Sequence, residues 1–163
     1  MTVAIHHKNF SFKIATSDQN FNDARNLFQE YANSLDIDLC FQDFDNELRT
    51  IHQQYYKPKG ALLLAYENEV AIGCVGLREL DKENSELKRM FVKTGYRGYS
   101  IGQKLLEQII NIARQLKYKK ILLDTLPSMA RAQKLYHSFG FSEIPSYRFN
   151  PIEGAVFMEK DLS

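Results

Sequence analysis

A chain of 163 residues with 44% apolar side chains has the length of one domain and enough apolar material for a core without disulfides or structural metals. Its 21 Lys and Arg stand against 20 Asp and Glu, so no overall field gathers nucleic acid or an anionic membrane, and a charged partner has to be recognised locally. Met1 to Phe12 lacks the apolar stretch of a signal peptide, and the longest apolar run, Ala61 to Tyr66, is too short to span a bilayer, so a soluble, cytoplasmic protein is expected.

In chain order, Phe10 to Thr16 alternates as a strand, and Ser17 stands where it caps a helix from Asp18 to about Ser34, with Phe21, Leu27, Phe28 and Tyr31 on one face. Phe41, Phe44, Leu48, Ile51 and Tyr55 repeat at helical spacing and predict a second helix, stopped by Lys57-Pro58-Lys59-Gly60. Leu62 to Glu67 and Val70 to Leu80 read as a hairpin around Glu67-Asn68-Glu69, and Ser85 to Val92 as the next strand. Ile101, Leu105, Ile109, Ile112 and Leu116 form the inner stripe of a helix, and Lys120 to Asp124 a short buried strand. Ser128 is the expected cap of a last helix to Phe139, Gly140 its left-handed end, and Ala155 to Lys160 a closing strand. No repeat or low-complexity linker divides the chain, so residues 1–163 read as one domain, and the order of elements implies a mixed sheet with helices on both faces.

Cys40 and Cys74 lie far apart and match no metal spacing, so free thiols are expected. His6 and His7 read as surface residues, and without an HExxH or Cys/His cluster no metal is expected.

The most informative segment is Arg97-Gly98-Tyr99-Ser100-Ile101-Gly102, between a strand and the helix opening at Ile101. A helix start leaves its first N–H groups without intrahelical partners and carries the positive end of the macrodipole. Glycines there let an anion approach the backbone, and Arg97 adds a cation. The hexapeptide resembles the R/Q-x-x-G-x-G/A acyl-CoA loop of the GNAT superfamily of N-acetyltransferases, with Ser100 in place of a glycine. "ELKRMFV", "LDTLPSM", "LYHSFGF" and "NPIEGAVFMEKDL" are similar to a bacterial branch whose acceptors are poorly defined.

The resemblance implies an α+β (mixed α/β) fold with a central mixed, mostly antiparallel sheet, acetyl-CoA as co-substrate, and direct transfer to a primary amine of a small molecule or peptide. It implies backbone N–H groups of Met90, Phe91 and Val92 holding pantetheine and the acetyl carbonyl, and Arg97, Gly98, Tyr99, Ser100, Ile101 and Gly102 enclosing the pyrophosphate. Glu86, six residues before Val92, stands where many members carry the glutamate that removes the amine proton. Tyr136 in LYHSFGF matches the tyrosine that commonly protonates the coenzyme thiolate. Met129 stands where the family often has an asparagine. Dimerisation is common in the family, so a homodimer is a possible assembly.

Three other readings compete. Gly98-Tyr99-Ser100-Ile101-Gly102 also satisfies G-x-S-x-G, with Asp124 and His137 in hydrolase order, but Lys93 to Arg97 separate it from its strand and no HGGG-type loop precedes it. Gly95, Gly98 and Gly102 do not make the dinucleotide pattern, and the P-loop Lys-Ser/Thr is missing. A catalytically silent acyl-CoA-binding domain shares every feature above. For the acceptor, the stretch Asp36, Asp38, Phe41, Asp43, Phe44, Asp45 suits a cationic amine, whereas Arg78 and Arg148 suit one carrying a carboxylate.

Overall fold

The computed structural model describes residues 8–35, 37–39 and 43–163. Strand β1 (Phe10–Ile14) leads to Ser17, which caps helix α1 (Asp18–Ser34). The Ser17 hydroxyl accepts from the Asn20 N–H at 3.1 Å and the Asn20 side chain accepts from the Ser17 N–H at 3.3 Å, a reciprocal box that satisfies two otherwise orphaned donors. Phe21, Ala24, Leu27 and Phe28 form the buried stripe of α1.

Where the spacing predicts one second helix, two short ones form, α2 (Phe44–Arg49) and α3 (Ile51–Gln54), while Phe41 lies outside the described residues. Thr50 is the break. Its φ is −110°, and its hydroxyl donates to the Asn46 carbonyl at 2.7 Å, competing with the helix ladder. The apolar face survives the interruption, with Ile51 and Tyr55 fully buried against the sheet.

Strands β2 (Ala61–Glu67) and β3 (Val70–Glu79) make the expected hairpin, turned at Asn68, whose φ of 53° asparagine tolerates. Strand β4 (Asn84–Val92) follows, then helix α4 (Ile101–Gln115), strand β5 (Lys120–Thr125), helix α5 (Ala130–Ser138) and strands β6 (Ser142–Ile144) and β7 (Val156–Asp161). The sheet order is β1-β2-β3-β4-β5-β7-β6, and among the described residues β4 with β5 is its one parallel pairing. The three-residue β6 has no counterpart in the sequence reading, because it is too short to show a period. Ser128 does not cap α5. The chain turns at Pro127 and Ser128, Met129 N–H bonds back to the Leu126 carbonyl at 3.0 Å, and Met129 is the N-cap residue, with no side-chain cap bond. Gly140 takes the expected left-handed conformation at φ 90°.

One core lies between the sheet and α4, built on Leu105, Leu106, Ile109 and Leu63, and a second under α1 and α3, built on Leu27, Phe28, Tyr55 and Leu64. Cys74 is a buried free thiol in the second, its pKa pushed up by burial, whereas Cys40, His6, His7 and Asp36 lie outside the described residues. Among the described residues no helix is long and apolar enough to cross a membrane.

Candidate active site

Two irregularities of β4 create the site. Between the pairs Cys74↔Phe91 and Gly76↔Lys88 one residue of β3 opposes two of β4, a bulge with Arg89 at φ 57°. On its other edge β4 pairs with β5 only from Asn84 to Glu86. Beyond Glu86 the strands part around a cavity of about 50 Å³, lined by Leu87 to Met90 and by Asp124 to Leu126. Tyr31 of α1 closes it from one face of the sheet, and Ala132 and Tyr136 of α5 from the other. The gap therefore runs through the sheet plane.

The backbone of β4 presents donors to this gap selectively. Lys93 N–H bonds to the Ile72 carbonyl on β3 at 2.9 Å. Because successive N–H groups of a strand point to opposite edges, Phe91 N–H also turns to β3, and Met90 and Val92 N–H face the β5 side. Of the three donors expected from the sequence, these two are aimed at the gap.

The glycine loop lies at the end of the gap. A 3₁₀ turn, Thr94–Tyr96, carries the chain off β4 into it, and Arg97 Nε donates to the Val92 carbonyl at 3.3 Å, which leaves the guanidinium at the strand end. A Cβ at Gly98, at φ 97°, would meet nothing within 4 Å, so the loop is open beside this residue. Ser100 is the N-cap residue of α4 at φ 60° and ψ 24°, the left-handed conformation that glycine adopts freely, and its side chain makes no cap bond. Ile101 is buried in the core, so it offers the loop only its backbone. Tyr99 is half exposed and packs edge-on to Phe10 at 5.5 Å. An open loop at the start of a 15-residue helix, whose first N–H groups have no intrahelical partners, flanked by Arg97, fits a pyrophosphate.

Tyr136 is buried, packs on Phe141 at 5.6 Å and lines the gap. Burial pushes its phenol pKa well above the ordinary tyrosine value, so it stays protonated and able to donate. Met129 lines the same gap, and its sulfur accepts from the Thr125 hydroxyl at 3.6 Å.

Glu86 has a different setting from the one an open general base needs. It is fully buried. Oε1 accepts from Arg78 Nε at 3.0 Å and lies 3.0 Å from Arg78 Nη2, and Oε2 accepts from the Tyr147 hydroxyl at 2.7 Å and from Arg148 Nη2. These donors occupy the acceptor positions of a carboxylate. Burial alone would raise its pKa, but Lys88, Arg78 and Arg148 pull the carboxyl below the usual range.

A second buried acid, Glu47, was not singled out from the sequence. It accepts from Arg89 Nε at 2.9 Å, from Arg89 Nη2 at 3.0 Å and from the Tyr55 hydroxyl at 3.1 Å, a bidentate clamp that ties α2 to the β4 bulge. Its signal was present, since an acid three residues after Phe44 and four before Ile51 sits on the apolar stripe and needs a buried partner. Lys88, next to the bulge, is also buried, and burial lowers its pKa to about 8.

The hydrolase constellation is not assembled. Ser100 is an exposed cap of α4, His137 an exposed residue of α5, and Asp124, at the gap, accepts from Asn150 at 3.2 Å. Of the acidic stretch, Asp43 sits at φ 54° before α2, and Phe44 packs against the second core beneath Arg89, 5.2 Å from its ring centre.

Residues 21–141 match the model of the Acetyltransferase (GNAT) family. The chain belongs to this family. An uncharacterized N-acetyltransferase of Schizosaccharomyces pombe is 35% identical over 157 residues, 95% of this chain and 96% of the yeast protein. Among solved structures, an acetyltransferase of Streptococcus agalactiae superposes with a TM-score of 0.77 at 27% identity, over 93% of this chain and 98% of its own. A Salmonella typhimurium structure containing its cofactor acetyl-CoA shares the fold, with a TM-score of 0.68 at 19% identity over 95% of both chains. This GNAT chain is thus an N-acetyltransferase.

Proposed function

We propose that the protein transfers acetyl from acetyl-CoA to a primary amine directly, within a ternary complex. The observation that carries this reading is the gap through the sheet, which lets a donor on the α4–α5 face meet an acceptor on the α1 face without a nucleophile on the protein. Bound acetyl-CoA supplies an activated thioester, so that amine attack forms the amide bond, breaks the carbon–sulfur bond and leaves the thiolate.

The residues then divide the work. The α4 loop, from Arg97 to Gly102, holds the pyrophosphate by backbone N–H groups and the Arg97 charge. Met90 and Val92 N–H run along pantetheine, and the one nearest the acetyl carbonyl donates to the oxygen as it gains charge, a contact worth about 3 kcal/mol in comparable sites. Tyr136 donates a hydrogen bond to the departing sulfur. Burial holds its pKa above the ~8.5 of a thiol, so the phenol keeps its proton and stabilises the thiolate, which takes up the proton that the attacking amine releases.

An ammonium acceptor of pKa about 10 must lose a proton first. Glu86 accepts it only after one of its donors leaves, and Arg148, on the loop between β6 and β7 with a side chain 23% exposed, is the donor placed to move. Until then Glu86 is a positioning residue that sets Arg78 and Arg148.

Tyr136→Phe tests the assignment. We expect kcat to fall about a hundredfold with acetyl-CoA affinity retained, and an unchanged kcat removes this role of Tyr136. A melting-temperature rise with acetyl-CoA or CoA is required by the whole reading, and its absence contradicts it. Thiol release in an amine screen separates the enzyme from a silent binding domain.

A further inference from the structure

On the α3 side of Glu86 lies a second, more open groove of about 360 Å³, lined by Gln54, Lys59, Arg78, Glu79, Glu86 and Arg148. Its charges do not balance. Lys59 and Glu79 neutralise each other at 2.9 Å. Glu47 is held by the bidentate Arg89 and lies 4.0 Å from Arg78, and Glu86 is held by Arg78 and Arg148, so three guanidinium groups share two carboxylates. One guanidinium charge in this groove has no anion of its own.

The geometry identifies which one. Arg78 is fully used, with Nε and Nη2 on Glu86 and Nη1 donating to Gln54 Oε1 at 2.8 Å. Arg148 is half used. Nη2 donates to Glu86, but Nε, the other tooth of the same side-on fork, is buried with no acceptor. Its guanidinium lies 5.2 Å from the Tyr147 ring centre, which holds the plane in place. A planar fork with one tooth empty, next to an uncompensated positive charge, matches a carboxylate, which fills both teeth in parallel.

We infer that this groove binds a carboxylate of the acceptor through Arg148, so that the amine acetylated belongs to an aminocarboxylic acid. The inference rests on the acetyl-transfer reading above. The groove and the gap share a wall, since Glu86 precedes the gap-lining Leu87 on β4, and Arg148 and the gap-lining Asn150 lie on one loop. A molecule with its carboxylate on Arg148 therefore reaches toward the gap along β4. A guanidinium drawn onto that carboxylate also leaves a lone pair of Glu86 Oε2 free to take the amine proton.

The test pairs ω-amino acids, glycine to 6-aminohexanoate, together with L-aspartate and L-glutamate, against alkylamines of the same chain length, following thiol release from acetyl-CoA. The best aminocarboxylate is expected to exceed its matched amine in kcat/KM by about tenfold or more, chiefly through KM. In Arg148→Gln that ratio collapses toward one, and in Arg148→Lys, which keeps the charge but loses the fork, it is intermediate. Equal kcat/KM within matched pairs, or a ratio unmoved by Arg148→Gln, overturns the inference while leaving N-acetyl transfer standing. If no amine of either series releases thiol, that failure belongs to the transfer reading. The groove is then judged by binding alone, as a larger melting-temperature rise for the CoA complex with 6-aminohexanoate than with pentylamine. No difference overturns the inference.

Discussion

Replacing Glu47 by glutamine keeps the shape of the clamp on the β4 bulge and removes its charge. Both partners are nearly inaccessible, with side-chain exposures of 2% for Glu47 and 3% for Arg89. The bonds at 2.9 and 3.0 Å are charge-assisted, and after substitution Arg89 stays charged in a site that no longer compensates it. Breaking a buried pair in this way costs about 3–5 kcal/mol, a large share of a typical stability of roughly 5–15 kcal/mol. For a domain of this size that corresponds to a melting temperature lower by roughly 10 °C. The chain has no tryptophan, so urea denaturation is followed by far-UV circular dichroism. The double variant Glu47→Leu, Arg89→Met is expected to recover most of the loss, because no charge is left stranded. The pH dependence has a defined sign. Burial raises the Glu47 pKa, but Arg89 outweighs it and the net shift is downward from the ordinary 4.5. The unfolded chain therefore takes up this proton first, and the contribution of Glu47 is lost as pH falls below about 4.5 toward the folded value. Glu47→Gln should lack that acid limb. A single variant within about 0.5 kcal/mol of the parent, or a double variant no more stable than the single, would refute the reasoning.

Ser100→Gly relieves a left-handed residue whose side chain makes no cap bond, so we expect stability to rise by about 0.5–1 kcal/mol in the same denaturation, while Ser100→Ala retains most acetyl transfer. Gly60→Ala places a Cβ at 2.6 Å from the Leu77 carbonyl oxygen and 2.9 Å from that of Gln54, both backbone atoms, and should cost about 1–3 kcal/mol. Lys88 has its folded pKa lowered from 10.5 to about 8 by burial, so between these values the unfolded chain binds more of this proton. Relative to Lys88→Met, the parent should gain about 3 kcal/mol from pH 8 to 10.5, and parallel stability profiles would contradict the buried position of the amine.

Several features could be read without coordinates because each rests on neighbours in the chain. The Ser17 cap, the α4 stripe from Ile101 to Ile112 and the Gly140 helix end depend on local spacing or on a single backbone conformation. The α4 loop was legible for the same reason, since a strand, a glycine turn and a helix start lie within a dozen residues. Ser100 takes a left-handed φ of 60° where the resembled loop has glycine.

One failure was local, since Thr50 splits a helix whose apolar period is unbroken through a hydroxyl bond to the carbonyl four residues back. The others had their cause elsewhere in space. Glu86 has the sequence position of a base, but Tyr147 and Arg148, about sixty residues on, bring donors that occupy it. The charge imbalance that singles out Arg148 exists only because β3, β4 and the β6–β7 loop converge on one carboxylate. The sequence alone determined the family and most elements, because motifs, periodicity and backbone preference act over a few residues. The tertiary structure decided which donors of β4 face the gap and which arginine keeps a donor without an acceptor. Those depend on register, on a bulge and on charges brought together by folding, and no local pattern encodes them.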